Sequence, residues 1–153
     1  MNTEHQARRL LDLQALLIDF LEIERLIYLP DGAKKDRRET DTEHSFHLAM
    51  LGWYLCGSYP NLDKNKVIRY ALAHDIVEIH AGDVMAIGRT EEQQTIKNKR
   101  EIEALATLKQ DWPDFPDLTN TIEIYEKQSD PESVFVKALD KLTPLVLQIL
   151  SEG

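Results

Sequence analysis

His74 and Asp75 stand side by side in YALAHDIVEIHAGDV, residues 70–84, a run that otherwise supplies the apolar side chains Tyr70, Ala71, Leu72, Ile76, Val77 and Ile79. Glu78 follows three residues after Asp75 and four after His74, and on a helix those spacings share one face. An ionised carboxylate in so apolar a sector is costly unless it is paired, hydrogen-bonded or bound to a metal. Two further candidates lie far off in the chain: His44, next to Glu43, and Asp140, in the otherwise apolar stretch FVKALDKLTP. Two imidazoles and two carboxylates, with positions left for water, make a ligand set that suits Mn²⁺, Fe²⁺, Co²⁺, Ni²⁺ or Zn²⁺. Taken singly, none of these residues demands a metal. A lone helical histidine is more often a hydrogen-bonded structural residue, which is the reading for His5, His47 and His80, and Asp140 alone could pair with Lys137 or Lys141. The joint pattern carries the inference.

Positioning such a set is work for helices. Apolar residues at Leu10, Leu13, Leu16, Leu17, Phe20, Leu21, Ile23 and Ile27 keep close to a 3.6-residue period, so a first helix is expected over residues 5–29. LPDGAKKDRRETD then reads as a charged loop, with turn residues at Pro30, Asp31 and Gly32. Thr40 with Glu43 fits a capping box that opens a second helix near Asp41 and carries it to Pro60. Asp63 should cap a third helix that runs through His74 and Glu78 until Gly82 ends it. DVMAIGRT is expected to be a loop, and Thr90 with Gln93 a second capping box before a charged helix over about residues 91–110. The two prolines of DWPDFPD must interrupt that helix, residues 117–128 are weakly helical, and Asp130-Pro131 starts a last helix that Pro144 should kink or restart. Strand signals are nearly absent, so the class is all-α.

The chain has 153 residues, a length that suits one domain with a real core. Eighteen Lys and Arg against 27 Asp and Glu leave a net charge of −9, which argues against a long nucleic-acid partner. An anionic substrate must then be small and met by local cations or a metal. No apolar run is long enough for a membrane span, and MNTEHQARRL lacks the features of a signal peptide, so a cytoplasmic protein without a membrane partner is expected. Cys56 is the only cysteine, which excludes an internal disulfide or a cysteine-based zinc site and suggests an inert thiol.

Glu43-His44-Ser45, then His74-Asp75 with Glu78, then Gly82-Asp83, then Ala138-Leu139-Asp140-Lys141-Leu142 resemble the ordered H…HD…D signature of the HD-domain metal-dependent phosphohydrolases. YLPDG…RRETDTEHSFHLAM, AHDIVEIHAGDV and VKALDKLTPL are similar to the branch that contains bacterial 5′-deoxynucleotidases, and the likeness spans residues 20–146. The resemblance implies a compact single-domain bundle of five to seven helices. It also implies one divalent ion (Mn²⁺, Co²⁺, Fe²⁺, Ni²⁺, Zn²⁺ or Mg²⁺) held by His44, His74, Asp75 and Asp140, with Glu78 acting on water or the leaving group and Asp83 supporting the site. A homodimer is implied as well, although Leu51, Trp53 and Tyr54 could equally face the core.

Family members usually continue for several more helical turns, so either the single domain over residues 1–153 lacks carboxy-terminal helices or this member is short. For phosphate, the planar forks of Arg25 and Arg38 are the best anchors, and Lys141 either neutralises Asp140 or reaches substrate. Lys34 and Lys35 read as a solvated loop. The expected activity is phosphate release from nucleoside 5′-monophosphates, above all deoxyribonucleotides. The alternatives are a metal-stabilised helical scaffold without turnover, or hydrolysis of another nucleotide. A single HD set favours a mononuclear monoesterase over the binuclear cyclic-nucleotide enzymes.

Overall fold

Asn2 accepts a hydrogen bond from the His5 amide and caps the first helix, α1 (Thr3–Leu21), in a computed structural model that describes residues 2–30, 37–82 and 90–152. The helix ends well before residue 29. After Glu22 the chain straightens into β1 (Glu24–Tyr28), which pairs antiparallel with β2 (Arg38–Thr40), Glu24 opposite Thr40 and Tyr28 opposite Arg38. This ribbon corrects the expectation of one helix over 5–29 and of no strands. Ile23 and Ile27 satisfy a helical period by themselves, but tertiary pairing overrides so weak a local preference. The Asp41 amide donates to the Ile23 carbonyl at 2.9 Å and the Leu29 amide to Arg37 at 3.0 Å, closing the ribbon at both ends. In a strand alternate residues share a face, so Arg25 and Ile27 turn inward while Glu24, Leu26 and Tyr28 face solvent.

The reciprocal Thr40–Glu43 cap forms as expected and starts α2 (Asp41–Leu55), worth about 1 kcal/mol for a cap of this kind. A short 3₁₀ turn at Cys56–Ser58 follows, where burial pushes the Cys56 thiol pKa up, as an inert thiol requires. Asp63 then caps α3 (Lys64–Ala73). α2 lies close on α3 through Gly52: a Cβ there would stand 2.7 Å from Val67 Cγ1.

The third helix does not run unbroken to Gly82. It stops at Ala73, passes through a turn at residues 74–77, and resumes for one turn as α4 (Glu78–Ala81). The Ile76, Glu78, Ile79 and His80 amides all donate to carbonyls three residues back, a tighter winding than the α-helix that brings residues i and i+3 into line. Gly82, at φ 75°, ends the segment in the left-handed region that glycine tolerates. The second capping box opens α5 (Glu91–Asp111), and α6 (Pro116–Lys127) begins with a proline at its first turn. α7 (Pro131–Glu152) passes through Pro144 without restarting. The helical class and the count of five to seven helices hold for the described residues, with the ribbon as an addition.

Two apolar clusters fill the interior. One gathers Phe20, Ile76, Val77, Leu108, Trp112 and Ile122; the other gathers Leu48, Val67, Tyr70, Tyr125, Val136 and Leu139. α3 feeds both, and residues 74–77 lie where they meet. Leu51, Trp53 and Tyr54 are exposed in this chain rather than buried in its core.

Candidate metal centre

His44, His74 and Asp75 meet at that seam, each offering a ligand atom within 4.8 Å of the others. His44 comes from the first turn of α2, one turn before the fully buried Leu48, so packing of the second cluster fixes its backbone. His74 and Asp75 come from the tightened turn after α3. Asp140, on α7 beside buried Leu139, places Oδ1 3.0 Å from His44 Nε2. Three of the four expected ligands thus converge, and Asp140 joins them through its contact with His44.

The protonation pattern tests whether they fit a cation. His74 Nδ1 lies 3.0 Å from the Ala71 carbonyl, which can only accept, so Nδ1 carries a proton, and in the neutral ring Nε2 then presents a lone pair. That Nε2 is buried without a hydrogen bond and sits 3.0 Å from Asp75 Oδ2. A ring nitrogen and a carboxylate oxygen this close in a buried site need a positive charge between them, either a proton on Nε2 or a metal ion in its place. His44 Nε2, 4.0 Å from the same Asp75 oxygen, extends the convergence. The residues fit a divalent ion with mixed nitrogen and oxygen ligands.

Electrostatics sharpen the site. Burial pushes the Asp75 carboxyl up, but His74, His44 and Arg25 outweigh it and hold the group well below the usual carboxylate range. Burial likewise opposes charge on His44, yet Asp140, Glu39 and Asp75 push it up to about 9. Asp140 also lies below its ordinary value, burial being outweighed by His44 and His74. Tyr125 packs its ring edge-on to His74 at 5.1 Å and donates its hydroxyl to Asp140 Oδ2 at 3.4 Å, steadying two of the four groups at once.

Glu78 is buried at 3% exposure, with Oε1 accepting from Lys97 Nζ at 2.8 Å and Oε2 without a hydrogen-bond partner. Burial pushes its carboxyl up to about 7 even though the Lys97 charge opposes the shift. Arg25 donates through Nη1 to Asp75 Oδ2 at 2.9 Å and to Asp41 Oδ1 at 3.1 Å, so it lies against the ligand set itself. Arg38 is partly exposed, 3.9 Å from Glu24 and over the Tyr28 ring, while Lys141 is exposed on α7 beside Asp140. His80 is also exposed and His47 contacts Glu39, so neither joins the ligands. Asp83, Lys34 and Lys35 lie outside the described residues.

Four neighbours of the candidate site escaped the sequence reading: Glu39, Asp41, Tyr125 and Lys97. Nothing separates Lys97 from Lys99 and Arg100 in the charged run of α5. Glu39 and Asp41, flanking the Thr40 cap, looked like loop charges, and their burial below 2% exposure is visible only once the ribbon forms.

Comparison with known proteins accords with this geometry. Residues 27–153 match the HD domain family. Human 5′-deoxynucleotidase HDDC2 is 29% identical over 139 residues, covering 90% of this chain, which in turn spans 65% of the human protein's length. A solved structure described as a predicted metal-dependent phosphohydrolase, from Magnetospirillum magnetotacticum MS-1, is 32% identical with a TM-score of 0.76, over 95% of this chain and 73% of that one. A conserved hypothetical protein from Pyrococcus furiosus is 25% identical with a TM-score of 0.69, over 93% of this chain and 82% of that one. With the family match running from the ribbon through α7 and enclosing every histidine and aspartate of the cluster, the chain belongs to the HD-domain family.

Proposed function

We propose that this chain is a metal-dependent phosphomonoesterase that releases phosphate from nucleoside 5′-monophosphates, with deoxyribonucleotides preferred. The observation that carries the reading is the buried, unbonded His74 Nε2 facing Asp75, with His44 beside them and Asp140 against His44. The resemblance to a metal-dependent phosphohydrolase and to a 5′-deoxynucleotidase supports the reaction class and the substrate.

His44, His74, Asp75 and Asp140 would hold one divalent ion. When bound, such an ion polarises a phosphoryl oxygen and lowers the pKa of water. Glu78 holds or moves the proton at Oε2, the carboxylate oxygen that Lys97 leaves open, and a pKa near neutrality suits that task. Arg25 sets a guanidinium beside the carboxylates, where it orients Asp75 and meets a phosphate oxygen. Arg38 and Lys141 are proposed as outer cationic contacts, and Asp83 as a supporting acid. A cytoplasmic setting is part of the proposal, and no described helix is long and apolar enough to cross a membrane. The exposed Met50, Trp53 and Tyr54 of α2 support a homodimer of single-domain subunits.

Phosphate release measured across ribo- and deoxyribonucleoside monophosphates with Mn²⁺, Co²⁺, Mg²⁺ and Zn²⁺ in turn tests the proposal. Turnover should appear with at least one metal, and His74→Ala should abolish both metal binding and turnover. Stoichiometric metal with no turnover on any member of the panel would overturn it.

A further inference from the structure

Glu39 is the middle residue of β2, and the alternation of the strand sends its side chain inward to 1% exposure. Oε1 accepts from His47 Nδ1 at 3.1 Å. Oε2 lies 3.6 Å from His44 Nδ1 and 3.6 Å from Arg25 Nε, and neither approach is close enough to make a hydrogen bond to it. His44 Nδ1 is itself buried without a hydrogen bond. An acceptor and a ring nitrogen thus face each other, both desolvated, just beyond the hydrogen-bond range of about 2.7–3.2 Å. On the opposite edge of the same ring, Nε2 points at Asp140 and Asp75.

An imidazole can give a lone pair from Nε2 only if its proton stays on Nδ1, and that proton needs an acceptor. For His74 the acceptor is the Ala71 carbonyl. For His44 no backbone carbonyl takes the part among the described residues, and the carboxylate of Glu39 is the group in place. We propose that Glu39 is a positioning residue that accepts the His44 Nδ1 proton, fixing the ring so that Nε2 presents its lone pair to the ligand cluster. The two histidines are then held by different devices, one by a carbonyl of its own helix and the other by a carboxylate delivered from the ribbon. With a divalent ion held at Nε2, Glu39 would serve as the acceptor for the proton on Nδ1, across the 3.6 Å that separates them in this structure.

This inference rests on the metal reading above, and zinc binding separates the two. Competition titrations with Zn²⁺ on the wild type, Glu39→Ala, Glu39→Gln and His47→Ala supply the affinities. Glu39→Ala should weaken zinc binding by roughly 10–100-fold, the usual loss when the partner of a ligating histidine is removed. Glu39→Gln, which keeps an acceptor oxygen, should weaken it less, and His47→Ala should leave it unchanged. Long-range ¹H–¹⁵N spectra of the zinc-loaded wild type should show His44 protonated at Nδ1 and metal-shifted at Nε2, with the Nδ1 proton resonance moving upfield in Glu39→Gln. A folded Glu39→Ala with wild-type zinc affinity overturns the role of Glu39. Should Glu39→Ala not fold, an unprotonated His44 Nδ1 in the wild type, or a resonance unmoved in Glu39→Gln, overturns it equally. A wild type that binds no zinc overturns the metal reading itself.

Discussion

The two apolar clusters do different jobs for one site. The cluster around Leu48, Val67, Val136 and Leu139 fixes the backbones of α2 and α7, and with them His44 and Asp140, while its Tyr125 touches His74 and Asp140 directly. The cluster around Ile76, Val77, Leu108 and Ile122 fixes α4 against α5, and with them Glu78 and Lys97. His74 and Asp75 lie on the turn between the clusters. The candidate ligands His44 and Asp140 and the proposed proton carrier Glu78 are therefore supported by separate packing, so a defect in one cluster need not disturb both equally.

The largest expected effect isolates the proton side. Glu78→Gln should cut kcat by roughly 10²–10⁴-fold, the usual weight of a general acid or base, while metal content and thermal stability stay near wild type. Retained turnover would leave Glu78 as no more than an orienting neighbour of His74, and steady-state kinetics with metal analysis decide the matter. Next comes a matched pair of core truncations, both at positions with no exposure. Leu48→Ala and Leu108→Ala should each lose about 2–5 kcal/mol in denaturant unfolding, but only Leu48→Ala should weaken zinc binding markedly. Equal losses of affinity would show that the clusters do not divide the work.

The smallest effect concerns Asp130, which ties α3 to the start of α7. It accepts from the Tyr70 hydroxyl at 2.6 Å and the Ser133 amide at 2.8 Å, with Lys66 Nζ at 3.2 Å. Burial raises its pKa, but these partners outweigh burial and hold it at about 2. A carboxyl lowered in the folded state adds stability above its unfolded pKa and loses it as pH falls through the folded value. Wild type should therefore exceed Asp130→Asn by roughly 2 kcal/mol above pH ~4, and the gap should close as pH falls toward 2. A gap that does not change with pH, in urea melts across that range, would remove the ionic basis of this tie.

The sequence carried the helical class and most helix starts, because capping pairs such as Thr40–Glu43 and Thr90–Gln93 and the Asp130-Pro131 start are local chemistry that nothing distant disturbed. It also offered the four candidate ligands, since charged or metal-binding side chains in apolar runs need a reason to be there. The ribbon was not legible. Residues 23–28 satisfy a helical period, and only pairing with β2 favours the strand. That choice places Arg25 against Asp75 and Glu39 behind His44, because strand alternation, not helical spacing, aims their side chains inward. Likewise Lys97 is one cation among several in its helix until α5 packs on α4 and buries it against Glu78. Residue type and local spacing determined what could bind and where helices begin. The tertiary structure decided which of many identical charges are desolvated together, because desolvation depends on contacts between segments that are remote in the chain.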